Sequence, residues 1–210
     1  MKCTPLMQCS AAALGLIANL VGSSADAQQV SIAPAVGVYI PTTDLIQAAG
    51  GRVSTKQQVS VTVGGRLGVT ISPRVGLAVT GDYAPSNLRF DLEGNQSTED
   101  ANILTGGARL NVYVIPATSP VSVLLSGGVG VIHRSGDAYA GVEDKTDVGP
   151  TGGMSLHIRL GSVVGFQINA EDYIYKPGLV QSETTARKTQ HDIHLSAGIE
   201  IPLFGLGAGT

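Results

Sequence analysis

The chain has no tryptophan and only two cysteines, Cys3 and Cys9, both close to the N-terminus. Beyond them there is no thiol, which excludes disulfides and thiolate metal sites from the rest of the chain. Charge is scarce as well. Asp, Glu, Lys and Arg make up 14% of the 210 residues, well below the norm of roughly 25%. The formal net charge is −3, so no basic field exists to attract nucleic acid. Long apolar runs are also missing: after residue 27 none approaches the roughly 20 residues a spanning helix needs. A chain so poor in charge, with no such helix, points to the other structure that can cross a bilayer, the closed β-barrel.

What is present begins with an export signal. Met1-Lys2 is a minimal basic start, Ala11 to Val21 is a short apolar stretch, and Ala25-Asp26-Ala27 reads as a small-residue cleavage site. The expected division is therefore a signal peptide over 1–27 and a single mature domain over 28–210. Both cysteines leave with the signal, and so do Lys2 and Asp26, which keeps the net charge unchanged.

Period-two alternation runs through most of the mature sequence. On the first strand Val30, Ile32, Val36, Val38 and Ile40 alternate with Ser31, Ala33, Ala35, Gly37 and Tyr39. Similar patterns recur over Val59–Ile71, Val75–Tyr83, Leu104–Val114, Val121–Val131, Asp147–Leu160, Val164–Glu171 and Ile193–Leu203. The expected fold is all-β, an eight-stranded antiparallel up-and-down transmembrane barrel. The connections support it. Ser72-Pro73, Pro116 to Pro120 and Gly161-Ser162 are short turns, whereas Pro41–Lys56, Ala84–Asp100, His133–Lys145 and Pro177–Thr189 are long and polar. Strict alternation of short and long connections suits short periplasmic turns and longer surface loops.

Alternation alone does not say which face is inside. The polar face is mostly Gly, Ser, Thr and Ala with isolated charges, which suits a lumen just wide enough for side chains to fill. A water-facing exterior would be dense in Lys and Glu. The lumen is therefore expected to hold Arg66, Arg74, Arg109 and Arg159 facing Asp82, Glu171, Asp192 and Glu200, with Asn111, His157 and His194. Charges in so narrow a space need partners, and the expected network joins Arg66 and Arg109 to Glu171 and Glu200. With aromatic residues only 4% of the chain, the interfacial girdles fall to Tyr39, Tyr83, Tyr113, Phe166, Tyr173 and Tyr175.

The signal, eight amphipathic strands, sorted connections and a last apolar strand ending at Phe204 resemble the small outer-membrane β-barrel domains typified by OmpA, OmpX and the opacity proteins. The resemblance covers the whole mature chain and is one of architecture. It implies an outer-membrane location, contact with outer-membrane lipids and lipopolysaccharide, folding by the barrel-assembly machinery, and loops that meet surface ligands. A monomer is expected. In two respects the chain departs from the pattern: Phe204 is out of phase with Leu203, and six residues follow it.

Catalytic readings are weak by comparison. His194-Leu195-Ser196 is similar to the His-x-Ser pair of outer-membrane lipid A deacylases, but Ala197 stands where their pattern has Asn, and both residues share the lumen parity. His133, His157, His191 and His194 have no metal-ligand spacing. Gly127-Gly128-Val129-Gly130 lacks the Lys-Ser/Thr of a phosphate loop and reads as strand glycines of a tight lumen. The expected function is a structural, envelope-integrity or surface-interaction role without catalysis, cofactor or metal. The alternatives are a narrow porin-like channel for small solutes and, further off, a lipid A-modifying enzyme. If the N-terminal reading is right, mass spectrometry of the exported protein will find Gln28 as its first residue.

Overall fold

A computed structural model describes residues 29–42, 46–47, 53–92, 95–141, 145–161, 163–176 and 189–204. The signal segment lies outside the described residues. The strands are β1 (Gln29–Pro41), β2 (Ile46–Gln47), β3 (Val53–Gln57), β4 (Ser60–Ser72), β5 (Val75–Ala84), β6 (Asn87–Leu92), β7 (Asn95–Asp100), β8 (Asn102–Ile115), β9 (Val121–Ser135), β10 (Thr146–Arg159), β11 (Gly165–Tyr175) and β12 (Gln190–Phe204). Eight of them close into an antiparallel barrel in the order β1-β12-β11-β10-β9-β8-β5-β4. Each pairs with the next barrel strand along the chain, and β1 pairs with both β12 and β4, so no barrel edge is left open.

Side chains alternate as the period of two demands. Val36 and Val63 are each 61% exposed on the outer wall, while Thr62 and Arg109 are each 2% exposed inside. Leu77, Val79, Leu110, Val112, Leu125, Val129, Met154, Ile168, Leu195 and Ile199 continue the outer band around the barrel. A soluble monomer rarely exposes apolar patches beyond a few hundred Å², and this one encircles the molecule. Polar-in is the arrangement observed.

Short turns close one end. The Ser72 hydroxyl accepts from the Val75 amide at 3.1 Å, and the Ala117 amide reaches the Pro73 carbonyl of the neighbouring turn at 2.9 Å. The Leu160 amide donates to the Val164 carbonyl at 3.0 Å to close the β10/β11 turn. Proline interrupts ladders where an amide is missing. The β1/β12 pairing skips Ala33 and Pro34, which lie inside β1, not at its rim. The β10/β11 pairing starts only at Thr151, next to Pro150, although β10 stays paired with β9 as far as Thr146.

Three findings refine the sequence expectations. First, parts of two segments expected to be polar loops form a second sheet, in the order β2-β3-β6-β7. It continues the wall beyond β4, β5 and β8: the Gln58 amide bonds Asn87 at 2.9 Å and the Ala101 amide bonds Ser86 at 2.8 Å. A small core of Leu88, Ala101 and Tyr139, with Phe90 and Ala138 against it, holds this sheet to a single 3-10 turn at Asp137–Tyr139. The Tyr139 hydroxyl donates to Gln57 Oε1 at 2.8 Å, and Gln57 Nε2 passes the bond on to the Ala101 carbonyl. Burial pushes the Tyr139 phenol up to about 12, so it remains a donor at physiological pH. Gly136 opens that turn at φ +107, where a Cβ would meet the Asp100 backbone.

Second, not all strand glycines serve the lumen. Gly128 and Gly130 face inward, but Gly127 has the opposite parity, and Gly65, Gly81 and Gly106 lie side by side in register on the outer wall. Third, the β1/β12 register shifts at its end. Ser31 is opposite Pro202 but Val30 is opposite Phe204, so Leu203 is the extra residue of a bulge. The bulge accounts for the phase break between Leu203 and Phe204, because it brings Phe204 opposite a residue of outer parity.

Val129→Arg, in the middle of the outer band, is expected to destabilise the protein refolded in lipid vesicles by about 2–4 kcal/mol, whereas Val163→Arg beside a short turn costs about 0–1 kcal/mol. Guanidinium unfolding in vesicles measures both, and equal costs would contradict the position of the band.

Candidate functional site

The lumen is where this fold gathers its polar side chains, and they stack in three layers. At the short-turn end Arg66 of β4 crosses the barrel. Its Nη1 donates to Ser155 Oγ (3.2 Å) and Asn169 Oδ1 (3.0 Å), and its Nη2 to Asn111 Oδ1 (3.1 Å). One guanidinium thus reaches β8, β10 and β11 through neutral oxygens. Beside it His157 Nδ1 lies 3.0 Å from Glu200 Oε2, and the Tyr113 ring meets the His157 ring edge-on at 6.4 Å.

The middle layer is built on an ion pair between Arg109 Nη1 and Glu171 Oε1, both buried. Arg109 Nη2 also donates to the Tyr173 hydroxyl at 2.6 Å. Gly130 makes room for that tyrosine: a Cβ there would sit 2.6 Å from the Tyr173 ring. His194 is wedged between two tyrosines, with ring centroids 5.1 Å from Tyr39 and 5.0 Å from Tyr173. Ser196 instead accepts a bond from Asn169 Nδ2 at 3.2 Å. The His-x-Ser pair therefore holds no nucleophile–base contact.

The outer layer joins five strands. Arg134 of β9 forms an ion pair with Asp147 of β10 at 2.5 Å, and its guanidinium lies 5.0 Å over the Tyr175 ring of β11. Tyr175 and Tyr39 both donate to one oxygen of Asp192, at 2.7 and 2.6 Å. Tyr39, Ala84, Ile103, Ile132, Tyr173 and Tyr175 form an apolar cluster around them.

Of the four residues expected to form one network, the structure brings Arg109 and Glu171 together as a pair. Glu200 has His157 as its ion-pair partner, and the hydrogen bonds of Arg66 go to Ser155, Asn111 and Asn169. Two expected lumen arginines are elsewhere: Arg74 and Arg159 are exposed at the short turns, where they donate to the Val114, Thr118 and Ala117 carbonyls. Arg74 lies in the β4/β5 turn and Arg159 is the last paired residue of β10, so both side chains are within reach of turn carbonyls. The girdle expectation also needs correction. Tyr39, Tyr113, Tyr173 and Tyr175 are buried in the lumen, leaving Tyr83, exposed, and Phe166, half-buried, on the outer wall. Their phenols are hydrogen-bonding pieces of the plug, which hydrocarbon-facing positions would not satisfy. The expected network lacks Arg134 and Leu124 because alternation of apolar residues ends at Val131 and Leu124 breaks the small polar run of the inner face of β9, and it lacks Asp147, which has inner parity on β10, because its partner Arg134 falls in an expected loop.

Among the described residues no group of three or more His, Cys, Asp or Glu side chains has a metal-binding arrangement. No family model matches the sequence, and no curated protein does. Solved structures do. The outer membrane protein OprG from Pseudomonas aeruginosa superposes with a TM-score of 0.62 at 13% identity, over 86% of this chain and 98% of that one. The E. coli Outer Membrane Protein W gives 0.50 at 14% identity, over 86% of this chain and all of that one. At such identity the likeness shows the fold: an eight-stranded barrel of the kind found in small outer-membrane proteins.

Arg109→Ala leaves Glu171 buried without its charge partner and is expected to cost about 3–5 kcal/mol, while Arg109→Met with Glu171→Leu together costs far less. In a double-mutant cycle read by chemical unfolding, Arg109–Glu171 should couple more strongly than Arg66–Glu200.

Proposed function

We propose that this chain is an integral outer-membrane protein with a structural, envelope-integrity or surface-interaction role and no catalysis. The observation that carries the reading is the combination of an apolar band around the whole outer wall with a lumen crossed by hydrogen-bonded layers. The band calls for a hydrocarbon surround. The export signal read from the sequence and the barrel fold, since spanning barrels are built for outer membranes, make that surround the outer membrane. Closure of β1 on both β12 and β4 leaves no barrel edge that a second copy must cover, consistent with a monomer.

In this reading the short turns face the periplasm, and the long connections with their small sheet stand on the cell surface. Exposed polar residues such as Ser97, Thr98, Glu99 and Asp100 on β7 then face lipopolysaccharide or surface ligands. Insertion is assigned to the barrel-assembly machinery, with the paired end of β12 as the last strand laid down.

A narrow channel is the second reading, favoured by one observation. Polar cavities enter the lumen from the short-turn end, lined by Thr70, Tyr113, Ser122, His157 and Glu200. Above them the Arg109–Glu171 and Tyr39–Asp192–Tyr175 contacts span the interior, which favours a closed plug. The refolded protein is expected to show heat-dependent gel mobility, to fractionate with outer membranes, and to give no steady single-channel current in a planar bilayer. A steady current would establish the channel reading, and recovery in the soluble periplasm would end both.

A further inference from the structure

We propose that the short-turn end of the barrel is a docking surface for acidic phospholipid, where Arg74 and Arg159 hold headgroup phosphates. The leaflet concerned, the periplasmic one, rests on the membrane reading and the orientation proposed above.

The two arginines converge on one turn. Arg74 Nη1 donates to the Val114 carbonyl at 3.4 Å. Arg159 Nη1 and Nη2 donate to the Thr118 and Ala117 carbonyls at 3.2 and 2.6 Å. Because β5 and β10 lie on opposite sides of the β8/β9 hairpin, the guanidinium groups flank its turn from either side. The Ala117 amide, bonded to the Pro73 carbonyl at 2.9 Å, ties that turn to the one that holds Arg74. Both arginines are exposed, and among the described residues neither forms an ion pair. A guanidinium has five N–H donors, so each keeps several for an acceptor outside the protein.

No carboxylate competes for them in the turns. Residues 72–75, 116–120 and 160–164 include no Asp or Glu, and none follows Glu200, although the whole chain has a net charge of −3. Glu200 itself lies in the mouth of the lumen, with His157 at 3.0 Å. The short turns thus form a positive end on an acidic protein. At the opposite end the exposed positions of the small sheet mix both signs, with Lys56 and Arg89 beside Glu99 and Asp100.

The outer wall decides which anion fits. Ile71, Val114, Ile115 and Val121 are exposed at the strand ends, so the apolar band runs right up to the turns. Leu160 and Val163, 66% and 72% exposed, border the β10/β11 turn next to Arg159. Side chains so placed belong among acyl chains, and the turns then lie at headgroup level, within reach of long arginine side chains. Guanidinium groups match phosphate oxygens in pairs. A phospholipid supplies phosphate and acyl chains at one level. An acidic one such as phosphatidylglycerol carries no amine to cancel its charge.

The probe is phosphatidylglycerol. The full mature protein, isotope-labelled, is placed in nanodiscs of phosphatidylcholine with increasing phosphatidylglycerol at constant ionic strength. Nuclear magnetic resonance follows the Arg74 and Arg159 Nε–H signals and the Thr118 and Ser119 amides. Shifts of all four that saturate with phosphatidylglycerol are expected. Arg74→Gln and Arg159→Gln should each raise the half-saturating fraction about fivefold, the loss of one basic residue near an anionic surface. Arg159→Gln removes two turn bonds, so Arg74→Gln carries the test if that variant fails to fold. No saturable shift in a protein with normal heat-dependent mobility overturns the docking surface, as do shifts confined to Lys56 and Arg89 at the other end. Equal shifts from inorganic phosphate, or shifts from soluble peptidoglycan fragments alone, overturn the lipid as occupant. Failure to enter the bilayer at all overturns the outer-membrane reading itself.

Discussion

Every backbone amide and carbonyl that crosses hydrocarbon must find its partner within the protein, because lipid offers none. Closing β1 onto β12 on one side and β4 on the other meets that demand, and the rest of the molecule follows from it. Closure with eight strands makes an interior about as wide as the side chains that fill it. Small residues therefore recur inside, and each large side chain needs a gap on the facing wall, as Gly130 provides for Tyr173. The prolines show how far the rule stretches. Pro34 and Pro150 each interrupt one ladder and leave the ladder on the other side running.

The narrow interior turns polarity into a pairing problem. Arginines cannot stand alone there, and this chain solves the problem in two ways. Arg109 and Arg134 meet carboxylates directly, while Arg66 spreads its bonds over a serine and two asparagines on three other strands. Aromatic side chains, scarce in this sequence, are spent inside. Tyr39 and Tyr175 share Asp192, and Tyr173 receives a bond from Arg109. The price is an outer wall with few interfacial aromatics. The benefit is a set of cross-strand ties that hold the barrel section together near its surface end. Open space remains toward the short turns, around Thr70, Tyr113, His157 and Glu200, so the lumen is plugged above and opens below.

Much of this was legible in the residues. Alternation of Val, Leu and Ile with small polar residues identified the barrel strands, and the sorting of short and long connections told the two ends apart. The composition of the polar face told inside from outside. What stayed illegible had specific causes. Leu88, Phe90 and Tyr139 are too few and too far apart to announce the small outer sheet, whose core forms only when β6, β7 and the 3-10 turn meet. Arg134 lay in what read as a loop, because strand ends are set by ladder pairing with Lys145 and Thr146, not by hydropathy. Arg74 and Arg159 had lumen parity, yet Arg74 sits in the β4/β5 turn and Arg159 is the last paired residue of β10, where turn carbonyls compete for them.

By itself the sequence determined which face each strand residue takes, since a period of two leaves no choice once one face must be apolar. It thereby determined the barrel, its polar interior and the inward placement of Arg66, Arg109, Glu171, His194 and Glu200. Which of these touch was decided only by the tertiary structure. Contact across a barrel depends on height as well as parity, and height is set by strand tilt and by the stagger of register around the closed wall. Arg109 and Glu171 come from strands three places apart in the wall and meet at one level. Glu200 comes to lie beside His157, and the Leu203 bulge shifts Phe204 into step with Val30. No local pattern encodes those levels, because they exist only once the eighth strand has closed on the first.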